Sequence, residues 1–143
     1  MRTLWFSLVL ISLGAAAFGQ NKQITVHAID GRTGKPIAKQ HLLVFGGDTP
    51  EAVRLHKKRY ELTTDKNGSG PLTLAADTEW LQVWVDGSVL CQKEPNGKSL
   101  SVAGILATGV NTANTCGSVT EKLMPGRLIV FARPASLWEK MRK

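Results

Sequence analysis

Thr25–Phe45, TVHAIDGRTGKPIAKQHLLVF, holds two apolar runs on either side of a polar segment with Gly31, Gly34 and Pro36. In Gln23–Ile29, QITVHAI, residues Ile24, Val26 and Ala28 recur at every second position, the period of a half-buried strand. DGRTGKP is a turn cluster. Lys39–Phe45, KQHLLVF, reads as a second strand. The stretch is thus either the opening hairpin of a small β-sandwich or, because His27 stands three residues before Asp30, an enzyme's first catalytic strand.

Working outward, alternation dominates over helical periodicity. Gly46–Lys58 is a long connection with one helical turn around Glu51–Leu55. Arg59–Thr64 reads as a third strand, Asp65–Gly70 (DKNGSG) as a tight turn, and Leu72–Ala76 and Glu79–Asp86 as two more strands. Gly87–Gly97 is irregular, carries Cys91 and ends in another turn, EPNGK. Leu100–Leu106 fits a strand or a short helical turn, and Thr108–Gly117 is loop-like. Arg127–Arg133, RLIVFAR, is a final strand, and Ala135–Lys143 is one or two turns of helix or a loose tail. About seven short strands with turn signals every 8–12 residues argue for an all-β, antiparallel sandwich of immunoglobulin-like or prealbumin-like type.

The first residues read as a targeting segment. Arg2, the apolar run Leu4–Leu13 and the small residues of GAAAFGQ make the three-part pattern of a signal peptide over residues 1–19. Cleavage is expected before Gln20, with cleavage after Ala17 the alternative. The run falls short of the ~20 apolar residues a membrane span needs, no later stretch could span, and no cysteine near the cleavage site offers a lipid anchor. The mature chain is expected to be one sandwich domain over 20–134 with a short tail over 135–143, secreted or periplasmic. Its two cysteines, Cys91 and Cys116, read as a disulfide in that oxidising setting. The bridge would close a loop of about 26 residues, worth about 3.5 kcal/mol on the chain-entropy estimate. Neither cysteine has a second Cys or His at zinc-ligand distance. The net charge of +7 becomes +6 without Arg2, from 17 basic and 11 acidic residues. That balance favours acidic partners without choosing among polysaccharide, anionic lipid and nucleic acid. The densest basic run, His56–Arg59, is short and reads as a solvated loop face, so no nucleic-acid partner is expected.

The segment VHAIDGRTGKPIAKQHLLVF followed by TTDKNGSGPLTL resembles carboxypeptidase regulatory-like domains of the transthyretin-like (prealbumin-like) group. The match covers about Ile24–Val85 and rests on Asp30, Gly34, Lys35, Pro36 and Ile37, then Thr64, Asp65 and Gly68. The second half is similar to small exported bacterial proteins. The pattern has local causes: Gly34 can take positive φ in the turn, Pro36 pre-sets φ at a strand edge, and Asp65 can cap its own turn while Gly68 relieves it. The resemblance implies the fold and is silent on function. HAIDGRTGKPI also resembles the opening of hydroxyisourate hydrolases, with His27 and Asp30 in place. The rest departs: Ser69 and Gly70 stand where that family has an arginine, no histidine follows His56, and the chain ends WEKMRK rather than Tyr-Arg-Gly-Ser.

Other chemistry finds little footing. Tyr60 is the only tyrosine, against the two that an intradiol dioxygenase uses. His27, His41 and His56 would hold a metal only if the fold converged them; His27 and His41 are expected on adjacent strands. DKNGSG supplies only Asp65 and Asn67 as oxygen ligands, with Ala76 at the twelfth position of a calcium loop. RLIVFAR lacks the Asn or Asp of an isopeptide strand, no GxSxG surrounds a serine, and Asp77 and Glu79 have no partner acid. No enzyme, cofactor or metal is expected. The surface feature is EWLQVWVDG: Leu81, Val83 and Val85 share one strand face, and Trp80, Gln82 and Trp84 the other, the indoles about 13 Å apart. Exposed, these side chains suit stacking on a sugar or a partner protein. The favoured alternative is that a connection such as Gly46–Lys58 covers them, with Trp138 in the same cover. The expected role is a non-enzymatic module that binds an envelope polysaccharide or protein. The rivals are a self-associating structural sandwich and, last, a hydrolase.

Overall fold

The computed structural model describes residues 20–93 and 98–142. The expected signal peptide, residues 1–19, and most of the EPNGK turn lie outside the described residues. In order the chain forms β1 (Lys22–Asp30), β2 (His41–Gly47), α1 (Pro50–Val53), β3 (Lys58–Thr63), β4 (Ser69–Leu74), β5 (Trp80–Val85), β6 (Ser88–Leu90), β7 (Leu100–Ser101), α2 (Val102–Ala107), β8 (Val110–Asn111), β9 (Arg127–Pro134) and α3 (Leu137–Met141). The strands make two sheets. Sheet A has the order β4-β1-β9-β6, with β8 also on β9; sheet B has the order β3-β2-β5-β7. Ile24, Val26, Leu74, Leu128 and Val130 of sheet A meet Leu42, Val44, Leu62, Leu81 and Val83 of sheet B in the main core. This is the expected β-sandwich.

Three details differ from the sequence reading. First, β1 and β2 are not a hairpin. The turn does form: Gly34, at φ 76°, donates its N–H to Asp30 O (2.8 Å), and Ile37 N–H reaches Ala28 O (2.9 Å). The returning chain pairs with β1 only through the Ile29–Pro36 bridge and then crosses to sheet B. Lys39, at φ 54°, and the buried Gln40 make the corner, where the Gln40 amide donates to His41 O (2.9 Å) and Asp86 O (2.7 Å). His27 and His41 therefore lie in different sheets rather than on neighbouring strands. Second, the sandwich is not wholly antiparallel, because β1 and β8 both pair with β9 in parallel. Third, β4 starts at Ser69, shortening the DKNGSG turn. Asp65 Oδ1 there accepts from the N–H groups of Asn67 (2.8 Å) and Ser69 (3.0 Å). Those two bonds hold the Asp65 carboxyl below the usual range, against the small opposing effect of burial. Gly68, at φ 76°, is required there twice over, since a Cβ would meet Ala28 O at 2.7 Å.

A second apolar cluster lies on the outside of sheet A. Ile29, Ile129 and Phe131 point away from the main core and pack with Cys91, Cys116 and Val119. The segment between β8 and β9 lies over them. The Cys91–Cys116 disulfide ties it down. Asn114 fastens it further, with its amide donating to Gly31 O (2.9 Å) and Val119 O (3.0 Å). Thr112 N–H bonds Ile129 O at 2.9 Å, and Thr112 Oγ1 accepts from Phe131 N–H at 2.9 Å. Residues 128–132 of β9 are consequently buried on both faces.

Candidate functional site

The outer face of sheet B is built on β2 and β5. Their register sets Leu43 opposite Trp84, Phe45 opposite Gln82 and Gly47 opposite Trp80. Side chains alternate across a strand, and as the spacing predicts, Leu81 and Val83 enter the core while Trp80, Gln82 and Trp84 share the outward face. They do not share an environment. Trp80 is half-buried, Gln82 is buried, and Trp84 is 37% exposed.

The gradient has a local cause. The connection after β2 turns back over this face. Thr49 caps α1 by accepting from Ala52 N–H at 3.0 Å, and Val53 is fully buried. The close approach falls at Gly47, where a Cβ would come within 2.7 Å of Val53 N. The chain then leaves α1 with His56 at φ 51°, a left-handed conformation that histidine tolerates better than most residues. That conformation helps to place the imidazole on Phe45, stacked with ring centroids 4.0 Å apart and planes 20° apart. Trp84 meets both rings edge-on, 6.2 Å from Phe45 and 5.9 Å from His56. Residues 46–58 thus pack on the Gly47 end of this face through α1 and reach Trp84 through His56, leaving the indole 37% exposed. Trp138 stands apart, on α3 and 75% exposed.

The basic run His56–Arg59 is partly structural. His56 stacks, Lys58 pairs with Asp77, and Arg59 pairs with Glu61. The Lys58 ammonium holds the Asp77 carboxyl below its ordinary pKa. Arg54 and Lys57 are exposed beside the ring cluster in sequence and have no ion-pair partner among the described residues. His41, on the same face, lies 3.6 Å from Glu61 and 3.9 Å from Asp86. The result is an aromatic cluster with an open indole and mixed charge around it. Edge-to-face aromatic pairs are worth about 0.5–1.5 kcal/mol each, enough to hold Trp84 in one pose.

A contact that the sequence reading missed lies on the outer face of sheet A. The β1–β4 register sets His27 opposite Ser69, and His27 Nδ1 is 2.6 Å from Ser69 Oγ. Burial, then the Arg127 charge, lowers the His27 pKa, against Glu121 and Asp65, which raise it. The pair depends on β4 starting at Ser69 rather than Leu72 and on its register with β1. A serine beside a histidine meets the first condition for nucleophilic catalysis; the second is a group that orients the base. No hydrogen bond to His27 Nε2 is present among the described residues, and Asp65 Oδ1 already holds its own turn. Asp30 likewise serves its turn: burial pushes its carboxyl up, but the Arg32 and Thr33 N–H groups and the Arg32 guanidinium hold it below the ordinary range.

No family model matches this chain, and neither a curated protein nor a solved structure matches it.

Proposed function

We propose that the protein is an exported, non-enzymatic binding module, of the carboxypeptidase regulatory-like kind that its first half resembles, and that the outer face of sheet B binds an envelope polysaccharide. One observation carries this reading: Trp84 remains 37% exposed beside the stacked Phe45 and His56 rings that meet it edge-on. A held, half-open indole is the surface on which a sugar ring stacks, at little cost in side-chain freedom. The excess of basic residues favours an acidic glycan. The disulfide supports export to an oxidising compartment. No helix among the described residues is long and apolar enough to cross a membrane. The test is binding of the mature chain, residues 20–143, to purified envelope polysaccharides of the host, with Trp84→Ala as control. The reading expects saturable binding that weakens roughly thirtyfold in the variant, the scale of an aromatic hot spot. Absence of glycan binding, or binding unchanged in Trp84→Ala, would reject it.

A further inference from the structure

The two flanks of the sandwich are finished differently. On the β3/β4 side the sheets are stitched together. The Tyr60 hydroxyl lies 2.9 Å from Thr78 Oγ1 and accepts from Ala75 N–H at 3.0 Å, and Lys22 pairs with Glu79 at 2.6 Å. On the other side both sheets end in fragments: β7 and β8 have two residues each and β6 has three. Leu90, Leu100 and Val110 pack against the main core there and stay only partly buried. Leu90 and Leu100 border a cavity of about 390 Å³. Its volume falls in the range of small-molecule sites.

The lining states the chemistry. Val83, Leu90 and Leu100 are its larger aliphatic side chains, three amides including Gln92 and two threonines line the rest, and Lys93 and Lys98 supply cations. No aromatic ring and no carboxylate lines it among the described residues. Branched aliphatic walls fit an alkyl chain rather than a sugar face, and the two exposed ammonium groups fit an anionic head. We infer that this flank cavity is a binding site for an aliphatic carboxylate, a medium-chain fatty acid anion, with the chain against Val83, Leu90 and Leu100 and the head at Lys93 and Lys98. A neighbouring cavity of about 370 Å³ shares Leu90, Gln92 and Lys93 and is walled by Trp84, which places an intrinsic fluorophore next to the site. The inference is independent of the glycan reading.

The test is a titration of the mature chain with dodecanoate below its micelle concentration, followed by methyl NMR and tryptophan fluorescence. Dodecyltrimethylammonium is the matched cationic probe. The expected result is saturable shifts of the Val83, Leu90 and Leu100 methyls with dodecanoate and binding at least tenfold weaker for the cationic probe. The surface double variant Lys93→Glu/Lys98→Glu should weaken dodecanoate binding by roughly tenfold, as reversing two exposed charges would. Its unchanged spectrum elsewhere would show that the fold is kept. Equal binding of the two probes, shifts confined to the exposed Leu137, Trp138 and Met141 of α3, or no saturable shift would each overturn the assignment.

Discussion

The outer face of sheet A and the outer face of sheet B answer the same problem in opposite ways. Each sheet already has one side in the main core. Sheet A covers β9 and the Ile29 end of β1 on its other side with a second apolar cluster, a disulfide and the Asn114 and Thr112 hydrogen bonds, while Thr25, Pro71 and Thr73 stay exposed. Sheet B covers only the end near α1 and leaves Trp84 open. The contrast separates stability from recognition: one face carries a second core over β9, and the other keeps a ring in contact with solvent.

The sharpest way to break this contrast is to empty the second core. Phe131→Ala should destabilise the protein by about 4 kcal/mol, because Phe131 is fully buried between β9 and its cover. Guanidinium denaturation measures this, and a loss below about 1 kcal/mol would mean the second cluster is not a core. Next comes the staple. Cys91→Ser/Cys116→Ser should cost about 3.5 kcal/mol, with amide protection lost first around residues 110–120. A retained denaturation midpoint would show that the hydrogen bonds alone hold the segment.

On sheet B the same truncation should cost far less. Trp84→Ala should lower stability by about 1 kcal/mol, the scale of its edge contacts, while abolishing most glycan binding. A loss comparable to that of Phe131→Ala would make Trp84 a core residue and erase the contrast. The smallest effect is a pH dependence on sheet A. His27 titrates lower in the folded protein than in the unfolded chain, where its pKa is about 6.5. As pH falls below that value the unfolded chain takes up the proton first. Stability present above pH 6.5 is therefore lost as pH falls through the folded value. The wild type should show this slope, and His27→Gln should lack its share of it when denaturation midpoints at pH 7.5 and 5.5 are compared.

Much of sheet B was legible because β5 alternates strictly, so its two faces could be assigned from spacing alone. The burial of Gln82 was not: it lies on the indole face, and no periodicity encodes its 7% exposure, nor the approach of α1 at Gly47 on the same face. The doublet Gly46–Gly47 carried the hint, a stretch without side chains, but it reads equally well as the start of a loop. In β9 the unbroken run Leu128–Ala132 signals a strand buried on both faces. What covers its outer face was hidden, because the covering segment, residues 112–119, is mostly polar and holds through Asn114, Thr112 and a disulfide rather than through an apolar stripe. The cysteine pairing itself followed from count and compartment. The turn at Asp30–Pro36 was visible as a reversal, but its crossing between sheets depends on Lys39 and Gln40, whose residue types do not announce a corner. Leu100–Leu106 fitted both a strand and a helix because it is both, β7 passing into α2 at Ser101, whose hydroxyl accepts from Gly104 N–H.

The place of β9 in sheet A has a consequence for how the chain is made. It is the last strand in sequence order, yet it lies between β1 and β6 and pairs with β1 across a separation of about one hundred residues. A chain emerging from the ribosome or a translocon therefore carries β1 with one open edge until residues 127–134 arrive. Contacts so distant in sequence close slowly and late. The two cysteines emerge before that strand does, and Cys91 hydrogen-bonds Phe131 O only once β9 is seated. The order of synthesis thus makes the final strand the keystone: it closes the sheet, fills the second core and fixes the ground on which the disulfide sits.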